Sequence, residues 1–184
     1  MRNHPVLVVV SGPPATGKST LARLLGQDLG CPTIIRDEIK QGMVMNASDH
    51  QAGDDDPLNI PTLEAFFQTI TVLLRAGVTL VAEAAFQDRL WRPRLEPLMP
   101  LADIRVVRCT TPTPGIVDRI TERARTDDHR AAHADEALLA DIASGTYDPE
   151  AFEAIRLDVP ALIVDTSDGY APGLSEIEAF LGFP

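Results

Sequence analysis

The sequence predicts an α/β fold, a five-stranded parallel sheet with helices on both faces and a small helical lid. Three observations carry that expectation. Short β-branched runs alternate with helical patterns, the order that builds a parallel sheet between helices. The first run leads directly into a glycine-rich turn and then a helix. The chain has 184 residues, 45% apolar and 23% charged, ordinary for one domain. A fold of this size hides roughly 70% of its unfolded surface and needs no disulfide or metal to hold a core.

The expected strands are Val6–Val10, Pro32–Arg36, Val78–Glu83, Ile104–Cys109 and Ala161–Asp165. The first, third and last are almost continuously apolar, as strands buried on both faces should be. Between the first two, Lys18 to Leu29 carries Leu21, Leu24, Leu25 and Leu29 on one helical face. Pro61 opens a helix with Leu63, Phe66, Phe67, Ile70 and Leu74 inward, and Gly77 closes it after Arg75. Thr113–Pro114 is an N-cap followed by proline at the first helical position, starting a helix through about Arg125. Asp148–Pro149 repeats that signal before Phe152 and Ile155, and a short helix from about Leu174 to Phe180 ends the chain.

Composition narrows the functional classes. The net charge of −11 opposes holding a long nucleic acid by counterion release. No run of about 18 apolar residues offers a membrane span. The apolar start flows into the glycine-rich turn rather than a cleavage site, so it reads as a strand and not a signal peptide. Cys31 and Cys109, without CxxC spacing, suit a reducing cytoplasm and read as small core residues. The acidic stretch Met45–Asn59 reads either as a solvated loop or as an acidic rim beside a substrate.

The strongest motif is Gly12-Pro13-Pro14-Ala15-Thr16-Gly17-Lys18-Ser19, which matches G-x4-G-K-[ST] at every fixed position between a strand and a helix. Backbone N–H groups of such a loop wrap phosphate oxygens, with the positive end of the helix behind them. Lys18 is expected to reach the β- and γ-phosphates and Ser19 to offer its hydroxyl to Mg²⁺, with Thr20 next in the same helical turn. An N-K-x-D base-reading segment, expected of a GTPase, does not occur.

Two carboxylates lie at the same sheet edge. Asp37 follows the second strand, where ligands of open parallel sheets sit, and can accept the proton of an attacking hydroxyl; its alternative role is a helix N-cap. Glu83 ends an apolar strand, so it must leave the core or be paired. Phe86 and Trp91 read as pocket lining or as core. Arg119 and Arg123 stand four apart on one helix face, where like charges repel unless an anion lies between them; Arg125 and Arg130 follow. His129 and His133 have helical metal-ligand spacing but no evident third ligand.

The strand–phosphate loop–helix–strand arrangement ending in Arg36-Asp37-Glu38-Ile39-Lys40 resembles the small P-loop kinases that include polynucleotide 5′-hydroxyl kinases and chloramphenicol phosphotransferase. The resemblance implies a nucleotide-kinase-like domain over 1–184, an acceptor-side insertion at about 41–60 and a lid at about 113–147. It implies ATP and Mg²⁺ as cofactors and Asp37 as the base on the acceptor hydroxyl. Glu83 would serve metal or acceptor, and Lys40 and Phe86 the acceptor. Arg119 would meet the nucleotide and Arg123 the transferring phosphoryl, while Asp165-Thr166-Ser167 would shape the purine pocket. Lys40 departs from the arginine frequent in the polynucleotide enzymes, and a lysine is a point charge rather than a bidentate phosphate fork. The expected activity is therefore transfer of the γ-phosphoryl of ATP to a hydroxyl of an antibiotic- or nucleoside-like small molecule. The alternatives are a polynucleotide 5′-hydroxyl kinase and a nucleotide-dependent regulatory or toxin-like module.

Overall fold

A computed structural model describes residues 4–47, 56–126, 135–147 and 152–183. Five strands, β1 (Val6–Ser11), β2 (Thr33–Ile35), β3 (Leu80–Glu83), β4 (Asp103–Thr110) and β5 (Ala161–Asp165), form one parallel sheet in the order β2-β3-β1-β4-β5. The helices are α1 (Lys18–Asp28), α2 (Arg36–Val44), α3 (Asn59–Arg75), α4 (Asp88–Leu95), α5 (Thr113–Thr126), α6 (Asp135–Ser144) and α7 (Leu174–Phe180).

The strand alternation divides the core into two layers. Leu7 and Val9 of β1, Leu80 and Ala82 of β3 and Ile104 and Val106 of β4 face Leu63, Phe66 and Ile70 of α3 and Trp91 and Leu95 of α4. Val6, Val8 and Val10, with Val81, Val107 and Val164, face Leu21 and Leu25 of α1 and Ile177 of α7. A third cluster joins Ile116 and Ile120 of α5 to Ala15 of the phosphate loop, with Leu138, Leu139 and Ile142 of α6 against it. α5 and α6 thus pack beside the loop itself.

Several expectations change. β2 stops at Ile35 because α2 starts at Arg36, which makes Asp37 a first-turn helical residue and Ile35 the N-cap. β5 is an edge strand and not buried on both faces: Ile163 is 65% exposed. Asn59 rather than Pro61 begins α3, leaving the proline in the first turn, where its missing N–H has no helical acceptor to lose. α4 was not evident in the sequence because it contains Pro93; buried Trp91 and Leu95, four apart, anchor it to the core. The Asp148–Pro149 start lies outside the described residues, and the stretch after it that holds Phe152 and Ile155 is irregular rather than helical. There Arg108 donates to the Phe152 carbonyl and Asp88 accepts the Arg156 amide, replacing helical bonds with tertiary ones.

Candidate active site

The phosphate loop sits between β1 and α1 in backbone conformations that dictate its residue types. Gly12 has φ +133°, and a Cβ there would lie 2.2 Å from the Cys109 carbonyl oxygen of the neighbouring strand. Gly17, with φ +76°, is the N-cap of α1 and brings no side-chain cap. Ala15 adopts φ +59°, unusual for a residue with a Cβ. The first turn of α1, with its positive helix end, is therefore shaped to receive an anion. The Thr16 hydroxyl and the Lys18 ammonium both donate to the Pro13 carbonyl, at 2.8 and 2.7 Å. Gly12, Pro13, Ala15, Thr16 and Lys18 are buried, Pro14, Gly17 and Ser19 half-buried, and Thr20 exposed.

Glu83, at the carboxyl end of the interior strand β3, accepts a 2.9 Å hydrogen bond from Ser19 Oγ. Burial pushes its carboxyl above the ordinary range; Lys18 opposes that, Asp37 adds to it, and Ser19 and Arg23 oppose it further. The charges of Lys18 and Asp37 and the hydrogen bond from Ser19 thus all act on Glu83 at the carboxyl edge of the sheet.

Asp37 belongs to a chain of contacts that sequence spacing did not foretell. Its Oδ1 accepts from Arg36 Nη1 at 2.9 Å. Asn59 Oδ1, at the start of α3, accepts from both Arg36 Nη2 and Lys40 Nζ at 3.0 Å each. Lys40 Nζ lies 2.6 Å from Asp56 Oδ2, and both side chains are buried. Lys40 is thus held inside the protein by Asp56, the described carboxylate of the acidic stretch, which lies under α2 rather than on a rim. Asp49, Asp54 and Asp55 lie outside the described residues. Phe86 stands 6.0 Å beneath the Arg36 guanidinium and packs edge-on against Phe66 and Trp91. Trp91 itself is fully buried core.

Arg119 of α5 reaches the other flank of the loop, bonding the Ala15 carbonyl (3.4 Å), the Thr166 hydroxyl (3.1 Å) and the Thr166 carbonyl. Arg123 follows one turn later on α5; its side chain, like Arg125, Arg130, His129 and His133, lies outside the description. Cys109 is fully buried and Cys31 half-buried, both free thiols. Sequence reasoning missed Arg36, Asp56 and Asn59. Of these only Arg36 carried a signal, its adjacency to Asp37.

The loop geometry, the β2-β3-β1-β4-β5 sheet and the acids at its carboxyl edge define an α/β domain built around a phosphate-binding loop. The chain belongs to the AAA domain family, whose model matches residues 7–147. Among curated proteins no match is found. A protein of Chloroflexus aurantiacus designated a kinase shares the fold at TM-score 0.78 and 24% identity, over 98% of this chain and 96% of that one. A gluconokinase from Sinorhizobium meliloti superposes at TM-score 0.63 and 19% identity, covering 99% and 94%. The APS kinase of Mycobacterium tuberculosis, in complex with AMPPNP and APS, does so at 0.62 and 17%, covering 98% and 99%.

Proposed function

We propose that the protein transfers the γ-phosphoryl of ATP to a hydroxyl group of a small molecule. The observation that carries this reading is the meeting of a phosphate-loop lysine, a serine–glutamate pair and a separate aspartate at one sheet edge. In the reaction, Asp37 takes the hydroxyl proton as the acceptor oxygen bonds to the γ-phosphorus. The bond to the β–γ bridging oxygen breaks, and ADP leaves with that electron pair. The loop amides and Lys18 hold the phosphates in line, so most of the acceleration comes from positioning and charge neutralisation. Lys18 must exchange the Pro13 carbonyl for phosphate oxygen as nucleotide enters. Arg123, on the lid helix, is assigned to the transferring phosphoryl.

Ser19 Oγ and Glu83, two hard oxygen donors in contact, fit a Mg²⁺ ion, which characteristically takes one or two protein oxygens and completes its shell with phosphate and water. That ion would supply charge neutralisation for the transferring phosphoryl. Among the described residues no cluster of three or more His, Cys, Asp or Glu side chains forms a metal cage. The buried Lys40–Asp56 pair favours a small acceptor over a polynucleotide, because Lys40 is engaged inside the protein rather than offered to a backbone phosphate. The gluconokinase and the APS kinase are named for small-molecule acceptors, in keeping with that choice.

The test is an acceptor screen with γ-labelled ATP, small alcohols set against 5′-hydroxyl oligonucleotides, followed by two variants. Lys18→Ala should weaken ATP binding and abolish turnover. Asp37→Asn should bind ATP almost normally while kcat falls about 10²–10⁴-fold. Labelling of oligonucleotides alone, or unchanged turnover in Asp37→Asn, would refute the reading.

A further inference from the structure

We infer that Thr166 is a positioning residue for the phosphate loop, a brace that with Arg119 turns the loop carbonyls outward so that the following amides face the phosphates. Thr166 lies one residue beyond β5, 150 positions from the loop it touches, and is 4% exposed. Its hydroxyl stands 2.8 Å from the Thr16 carbonyl oxygen and 3.1 Å from that of Thr110. The Thr110 oxygen already accepts the Thr166 amide at 2.9 Å. A hydroxyl has one proton to donate, and the shorter contact assigns it to Thr16. The hydroxyl's lone pair accepts from Arg119 Nη1, the nitrogen that also reaches the Ala15 carbonyl.

A trans peptide points its C=O and the next N–H in opposite directions. Anchoring the Thr16 carbonyl on Thr166 therefore turns the Gly17 amide away from Thr166. Anchoring the Ala15 carbonyl on Arg119 likewise turns the Thr16 amide away from Arg119. The two anchors also hold Ala15 in its positive-φ conformation, which an alanine does not keep unaided. The Asp165 carboxylate accepts the Ser167 amide and hydroxyl at 2.8 and 2.5 Å, a turn that fixes Thr166 between them. The family resemblance implies a purine role for this segment; the contacts of Thr166 are instead to the phosphate loop and to Arg119.

The test needs no acceptor, so it stands or falls apart from the choice of substrate. Thr166→Val, Thr166→Ala and Thr166→Ser are titrated calorimetrically with Mg-ATP and with inorganic tripolyphosphate, and with adenosine by NMR shift changes. Loss of the hydroxyl leaves a buried carbonyl short of a donor, so Val and Ala should bind ATP and tripolyphosphate about tenfold more weakly. Ser should stay within about twofold of the parent, and adenosine should bind all four alike. Should Val not fold, the Ser and Ala variants still differ by one hydroxyl and decide the matter. Parent-like ATP affinity in Ala, equal losses in Ser and Ala, or a parallel loss for adenosine would each overturn the brace. So would a parent that binds neither ATP nor tripolyphosphate.

Discussion

Removing either member of the Lys40–Asp56 pair should destabilise the protein far more than removing both. The charged atoms are 2.6 Å apart, with side chains 4% and 0% exposed, so neither charge left alone can recover water. Breaking such a pair costs about 3–5 kcal/mol. For a domain of this size each kcal/mol moves the melting temperature by about 2–4 °C, so Lys40→Met or Asp56→Asn should melt about 6–20 °C lower. Asn keeps an oxygen for the Leu58 amide, which Asp56 Oδ1 accepts at 2.8 Å, so the variant isolates the charge. The double variant buries no unpaired charge and should recover about half or more of either loss. Urea unfolding of all four proteins gives the coupling energy directly. Single variants within about 1 kcal/mol of the parent, or a double variant showing the simple sum of losses, would refute the reasoning that both charges are desolvated. Mg-ATP affinity should change little, because the pair acts on the Asn59–Arg36–Asp37 side of the site.

Glu83→Gln should trade binding for stability. Burial raises the Glu83 carboxyl, so the native state keeps its proton to higher pH than the unfolded chain, and stability falls as pH rises from about the ordinary value of 4.5 through the raised one. Without nucleotide the variant should melt higher than the parent above that window and equal it below, while Mg²⁺-dependent ATP affinity falls; a variant that melts lower at pH 8 contradicts this. Burial also pushes the Cys109 thiol up to about 12 and raises the half-buried Cys31 thiol. At pH 7.5 a maleimide should therefore label native Cys31 slowly and Cys109 only on unfolding, as mass spectrometry of the peptides would show; rapid labelling of native Cys109 would contradict its burial.

Features that depend on neighbours along the chain are legible in the residues themselves. Gly12 to Ser19 encodes the phosphate loop, since positive φ, close backbone approach and a helix start are local demands met by residue type. The alternating runs encode five parallel strands, and the end of the second run puts Asp37 at the productive edge. The aliphatic stretch before Glu83 likewise marks a carboxylate that burial must perturb. Features that depend on partners far away along the chain emerge only once it is folded. An apolar run such as β5 reads alike at the edge and the centre of a sheet, and only the strand order leaves Ile163 exposed. Asp56 looks like one more acid in a polar stretch until Lys40, sixteen positions earlier, is folded against it. Asn59 and Thr166 carry no motif, because a hydrogen bond spanning 19 or 150 residues has no period for a sequence to display. Chain closure sets those contacts, and through them the surroundings of Asp37 and of the loop carbonyls.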